Sequence, residues 1–95
     1  MTQFLVIIDV VDIFSGITIK NYEFKLDART EYIAENICME NVKKEMKDVR
    51  RSILAQRYNI SLSQIDAMEN DGEIDLLSAY HIEIHDIYSA TKIND

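Results

Sequence analysis

The chain has no proline, no tryptophan, two glycines (Gly16 and Gly72) and one cysteine, Cys38. Each scarcity excludes something. Without proline or clustered glycine there is no polyproline, collagen-like or flexible-linker segment. Two isolated glycines cannot build a glycine-rich phosphate loop. One cysteine allows no intrachain disulfide. Small secreted domains are normally stapled, so a reducing compartment, the cytoplasm, is expected. The opening Met1-Thr2-Gln3 carries no basic n-region. The apolar run Phe4–Phe14 contains Asp9 and Asp12 and is too short to span a bilayer, so neither a signal peptide nor membrane insertion is expected.

What is present suits one folded domain over residues 1–95. The chain is 47% hydrophobic and 28% charged, ordinary for a globular protein of modest stability. No repeat or low-complexity segment interrupts it.

Two strands are predicted first. Gln3–Phe14 is rich in Val, Ile and Phe, and Ile17–Leu26 carries Ile17, Ile19, Tyr22 and Phe24. Ser15-Gly16 between them reads as a two-residue hairpin turn. That turn sets Phe14 opposite Ile17, Asp9 opposite Tyr22, Ile7 opposite Phe24 and Leu5 opposite Leu26. The expected core face is then Leu5, Ile7, Tyr22, Phe24 and Leu26. The other face keeps Phe4, Val6, Ile8 and Val10, so the first strand is apolar on both sides. Such a strand is central in its sheet or covered by a second layer, and a homodimer across Phe4, Val6, Ile8 and Val10 would provide that cover. Alternation slips near Lys20-Asn21, which predicts a bulge or twist.

Asp27 can cap a helix starting at Ala28. Ile33, Ile37, Cys38, Val42, Met46, Val49 and Ile53 follow at steps of three and four, with a one-residue shift between Ile37 and Cys38 that predicts a curve or a break near Met39–Asn41. The helix should stop at Tyr58-Asn59, with Asn59 in a left-handed cap. Ser61 or Ser63 can cap a shorter helix bearing Leu62, Ile65 and Met68. Beyond the Glu69-Asn70-Asp71-Gly72 turn two periods compete. Ile74, Leu77, Tyr80, Ile84 and Ile87 fit a helix, while Tyr80, Ile82 and Ile84 fit a strand. A helix over 73–79 and a strand over 80–88 are adopted, with a frayed tail over 89–95. The expected class is α+β: an antiparallel hairpin on a long helix, then a short helix and a final strand.

Charge is distributed unevenly. Lys43, Lys44, Lys47, Arg50, Arg51 and Arg57 are six of the ten basic residues. Against Glu40, Glu45 and Asp48 they make that segment +3, which leaves −10 for the rest of a chain of −7. On a helix these cations span an arc of about 140° beside the apolar stripe. Such a face can bind the phosphates of a nucleic acid, and it can equally be a solvated face neutralised by the acidic C-terminal third. No aromatic residue interleaves the cations, as single-strand stacking would require. The reverse polarity is also available. Asp66, Glu69, Asp71, Glu73 and Asp75 can engage a basic protein partner. In size and acidity the chain is similar to small phage-encoded inhibitors that imitate DNA, a likeness of composition with no motif behind it.

Catalytic constellations are scarce. His81-x-Glu83-x-His85 on a strand would place two imidazoles and a carboxylate on one face, ligand types that suit Zn²⁺ or Fe²⁺, although neighbours on one strand rarely complete a coordination sphere. Asp9 and Asp12, with Glu23 and Asp86, could hold Mg²⁺ only if a bulge brought them together, because a spacing of three puts them on opposite faces. Cys38 lies in the apolar helical stripe and reads as a structural thiol. The expected function is therefore a non-enzymatic protein–protein interaction module without a cofactor. Contacts are expected at Phe4, Val6, Ile8 and Val10 for self-association and at Asp66–Asp75 for a basic partner. Nucleic-acid binding by Lys43–Arg57 and DNA imitation are the alternatives.

Overall fold

Eleven residues rich in Val and Ile, Thr2–Asp12, form the middle strand, β1, because β-branched side chains fit a pleated surface. A computed structural model of the chain describes residues 1–89. The remaining elements are β2 (Thr18–Ala28), α1 (Glu31–Tyr58), α2 (Leu62–Asn70) and β3 (Tyr80–Ser89). The three strands make one antiparallel sheet in the order β2-β1-β3. The α+β class holds, with the hairpin packed on the long helix. A strand apolar on both faces thus lies at the centre of its sheet.

The hairpin register differs from expectation by one residue. Phe4 faces Leu26, Val6 faces Phe24 and Ile8 faces Tyr22. A slip of one flips the side of every partner. Phe4, Val6, Ile8 and Val10 therefore share the face of Tyr22, Phe24 and Leu26 and form the buried core, while Leu5, Ile7 and Val11 stay half-buried on the other face. The dimer contact expected at Phe4, Val6, Ile8 and Val10 is corrected accordingly: those side chains lie inside the protomer. The turn and a one-residue bulge together are the cause: the longer turn alone would move the pairing by two and keep the face, and the bulge makes the change odd. Four residues rather than two connect Asp12 to Ile17. Asp12 N–H donates to Ile17 C=O at 2.9 Å and Gly16 N–H to Asp12 C=O at 2.7 Å, with Gly16 at φ 72. The register then shifts by one more residue between Val10 and Val11, near the expected irregularity.

α1 is one unbroken helix of 28 residues. The expected cap at Asp27 is corrected. β2 runs on through Ala28, and Thr30 caps the helix, its Oγ1 accepting from Ile33 N–H at 3.2 Å. Asn59 closes the helix in the left-handed conformation, as expected (φ 54, ψ 48). The buried line is Ala34, Cys38, Val42, Met46 and Leu54, mostly at steps of four, so it drifts about 40° around the helix per step. This drift accounts for the one-residue shift in the stripe without a break, and it leaves Ile33, Ile37, Val49 and Ile53 exposed. The first half of α1 lies on the sheet. Leu54 in the second half packs with Ile65 of α2 and Leu76 in a separate small core.

Ser61 caps α2 in a reciprocal capping box with Gln64. Residues 73–79 are turns rather than the expected helix. Asp75 accepts from Leu77 N–H at 3.0 Å, and its C=O accepts from Ser78 N–H and Oγ, a local solution that competes with helix in so short a segment. β3 confirms the strand reading, and Ser89 is its last residue. The frayed tail expected over 89–95 otherwise lies outside the described residues. The molecule measures 52 × 26 × 17 Å, with a radius of gyration of 16.1 Å, against about 12 Å for a compact chain of this length. It is long and two layers thick, with helix on one sheet face and no element on the other among the described residues.

Ile8→Ala should cost about 2–4 kcal/mol in urea unfolding, and Ile7→Ala about 1 kcal/mol or less. Equal costs would contradict this register.

Candidate partner-binding surfaces

The uncovered sheet face is built by alternation. β1 contributes Gln3, Leu5, Ile7, Asp9 and Val11. β2 adds Asn21, Glu23, Lys25 and Asp27 opposite them. β3 adds His81, Glu83, His85, Asp86 and Tyr88. Side-chain bonds confirm the shared face: Asp9 Oδ1 accepts from Asn21 Nδ2 at 2.5 Å, and Asp9 Oδ2 meets His85 Nδ1 at 2.7 Å. A register shift between Ile7 and Ile8 on the β3 side leaves His85 without a Cα partner in the ladder. Leu5, Ile7 and Val11 form an apolar middle row. Asp9 interrupts that row and, with Glu23, Asp27, Glu83 and Asp86 beside it, opposes one cation, Lys25, so the face carries −4 with neutral imidazoles.

The Asn21 amide, then His85, holds the Asp9 carboxyl below the ordinary carboxylate range. The Asp86 carboxylate, hydrogen-bonded to the Tyr88 hydroxyl, pushes that phenol up. Sequence reasoning missed this face because it assigned Leu5 and Ile7 to the core. The signal available was Asp9: a carboxylate in the Leu5–Ile7–Val11 row marks that row as the wet one.

The metal reading of His81, Glu83 and His85 is not supported by their placement. His81 Nε2 meets Glu83 at 3.1 Å while His85 turns to Asp9, so the two imidazoles serve different carboxylates. Among the described residues no group of three or more His, Cys, Asp or Glu side chains is placed to hold a metal ion. Asp9 and Asp12 are also kept apart. Asp12 sits at the hairpin turn, accepting from the N–H groups of Phe14 and Ser15 at 2.8 and 3.4 Å. Cys38 is buried on α1, and that burial pushes its thiol pKa up, away from reactivity.

The basic face of α1 is partly absorbed by the fold. Arg51 makes a two-pronged bond to Asp66 of α2 at 2.7 and 2.8 Å and a third contact to Asp48 at 3.2 Å. Lys47 pairs with Glu69 at 3.6 Å. Lys43, Lys44, Arg50 and Arg57 have no ion pair within 4 Å among the described residues. Lys43, Lys44 and Lys47 line an open groove of about 420 Å³ with Glu40, Asn41 and Leu77. The acidic cluster is divided by the same pairs. Asp66 and Glu69 face the helix cations, Asp75 caps its turn, and Glu73 and Asp75 line a cleft of about 300 Å³ with Arg50 and Tyr58. Asp71 caps the end of α2. The five carboxylates therefore do not form one free array.

Among the described residues no helix is long and apolar enough to cross a membrane. Comparison with protein-family models, with curated proteins and with solved structures finds no match to this chain.

Two outcomes are expected. Breaking the α1–α2 bridge with Arg51→Met or Asp66→Asn should lower the urea unfolding midpoint slightly, and a double-mutant cycle should show most of that loss as coupling. A carboxyl held low in the fold stabilises it above the ordinary carboxylate pKa, and that stabilisation is lost as pH falls through the lowered folded value. Asp9→Asn should therefore flatten the fall in unfolding free energy between about pH 5 and about pH 3. Parallel acid limbs in the two proteins would refute this.

Proposed function

We propose that the chain is a non-enzymatic protein–protein interaction module acting in the cytoplasm, and that its partner docks on the open sheet face. One observation carries the reading: the central strand sets half-buried Leu5, Ile7 and Val11, a row broken by Asp9, on an open sheet face of net charge −4. An apolar centre with a charged rim is the ordinary anatomy of an interface. The rim's sign selects a partner with lysine or arginine flanking its apolar residues. Three strands about 4.8 Å apart and about ten residues long offer roughly 14 × 33 Å, the footprint of one helix rather than of a whole domain. The expected partner element is a short basic amphipathic segment. The single buried thiol of Cys38 fits a reducing cytoplasm.

A second reading, nucleic acid bound along α1, has in its favour Lys43, Lys44, Arg50 and Arg57, which form no ion pair among the described residues. Against it stand the pairing of Lys47 and Arg51 and the acidity of the rest of the surface, which repels phosphate.

The test is affinity capture from the native host with three proteins: the parent, an Ile7→Arg/Glu23→Lys variant, and a variant with alanine at Lys43, Lys44, Arg50 and Arg57. A protein partner retained by the parent and the alanine variant but lost by the sheet-face variant is the expected result. Retention by the sheet-face variant would overturn the reading. Nuclease-sensitive loss from the alanine variant alone would favour nucleic acid.

A further inference from the structure

Three of the ten basic residues of this acidic chain meet in one groove. Lys43, Lys44 and Lys47, with Glu40, fall within about 100° of arc on α1. Asn41 and Leu77 complete the lining of a space of about 420 Å³, within the range of about 300–1,000 Å³ that small-ligand sites occupy. The wall that Leu77 contributes is fixed. Its side chain packs against the main core, its N–H donates to Asp75 Oδ1 at 3.0 Å, and its C=O accepts from Tyr80 N–H at 3.1 Å. Lys43 and Lys47 are half-buried, as when a lysine stem packs along a wall and its ammonium group stays in water.

These ammonium groups have donors to spare, since each offers three N–H bonds. Lys43 and Lys44 form no ion pair among the described residues. Glu69 stands 3.6 Å from Lys47, beyond good hydrogen-bond distance. The lining residues sum to +2, and to +1 when Glu69 is counted. Exposed charges more than about 8 Å away are largely screened at physiological ionic strength. The groove's own residues therefore set the local sign, against a chain total of −7.

The same charges limit the length of the anion. Beyond Lys47 the cationic line is interrupted: Arg51 is held by Asp48 and Asp66, and Arg50 lies in the neighbouring cleft with Glu73 and Asp75. A nucleic-acid backbone laid along α1 meets those carboxylates, whereas a short anion confined to the groove does not. The donor type narrows the chemistry further. A planar carboxylate is matched best by the guanidinium fork, while the compact lysine ammonium serves phosphate as a point charge. Three ammonium groups around one opening suit the many oxygens of linked phosphates. Leu77 adds an apolar contact for an organic group attached to them.

We propose that this groove binds a small molecule bearing two or more linked phosphate groups, held by Lys43, Lys44 and Lys47. The proposal is independent of the partner assigned to the open sheet face, which lies on the other side of the sheet from α1. Isothermal titration calorimetry on the full chain at low salt, with ADP and inorganic pyrophosphate as probes, should give a Kd between about 10 µM and about 1 mM. Affinity should fall as salt rises. Lys43→Met and Lys44→Met should each weaken binding about tenfold. Glu40→Gln removes the one carboxylate of the lining and should strengthen it about threefold. Arg57→Met removes the same charge outside the groove and should change it by less than about twofold. Circular dichroism of each variant should match the parent. Tighter ADP would add its nucleoside to the Leu77 contact, and tighter pyrophosphate would make the phosphate chain the whole ligand; both support the site. A parent that binds neither probe up to about 10 mM, or equal weakening by Lys44→Met and Arg57→Met, would overturn the proposal.

Discussion

The parity of the β1–β2 pairing decides which side chains this molecule hides and which it presents. With Ile8 opposite Tyr22 and Val6 opposite Phe24, the even residues of β1 join the aromatic row of β2 beneath α1. Tyr22 and Phe24 stack with ring centroids 5.9 Å apart, Lys20 lies 4.7 Å from the Tyr22 ring centre, and the Tyr22 hydroxyl meets Met46. These contacts join strand to helix at mid-length, while Ala34, Cys38 and Val42 fill the rest of the seam. Everything on the opposite face follows from that choice. Leu5, Ile7 and Val11 are left half-buried, and Asp9 sits where Asn21 and His85 satisfy its carboxylate. Had the odd residues been buried, Asp9 would have entered an apolar core without a cation, a placement costing several kcal/mol. The polar residue in the middle of the strand therefore helps specify the register.

Much of this architecture was legible in the residues. Periodicity located both helices and all three strands, Asn59 marked its left-handed cap, and Ser61 its helix start. What failed was local chemistry of short range and large consequence. Ser15-Gly16 looked like a two-residue turn, but Asp12 gathers three backbone N–H groups and holds a longer one. That difference of two residues, with the bulge beyond it, moved a predicted dimer face into the core. The 73–79 segment failed similarly. Its spacing suits a helix, but Asp75 offers the backbone hydrogen bonds that a helix would otherwise supply. The one-residue shift in the helical stripe was read as a curve or a break, although it reflects a buried line that winds around an unbroken α1.

The charge map was legible as composition but not as geometry. A +3 segment in a −7 chain suggests attraction, and it could not be known from order along the chain which cations meet acids in space. Arg51 and Lys47 reach back to Asp66 and Glu69, so part of the positive face and part of the acidic cluster hold α2 against α1. The net acidity of the sheet face is instead assembled from three strands whose members are up to 77 residues apart, from Asp9 to Asp86. No local window shows such a surface; it exists only once the register is fixed.

The winding of α1 also explains why apolar surface remains uncovered in so small a domain. A buried line that drifts about 40° every four residues faces the sheet at Cys38 and Val42 but faces α2 by Leu54. A helix cannot keep two cores at different azimuths and present one straight stripe to both. Val49 and Ile53 stay on the old azimuth after the buried line has left it, and they remain exposed. The exposed apolar end is thus the geometric remainder of joining two small cores through one helix. In a chain of this size each core alone would be marginal, so the helix must serve both.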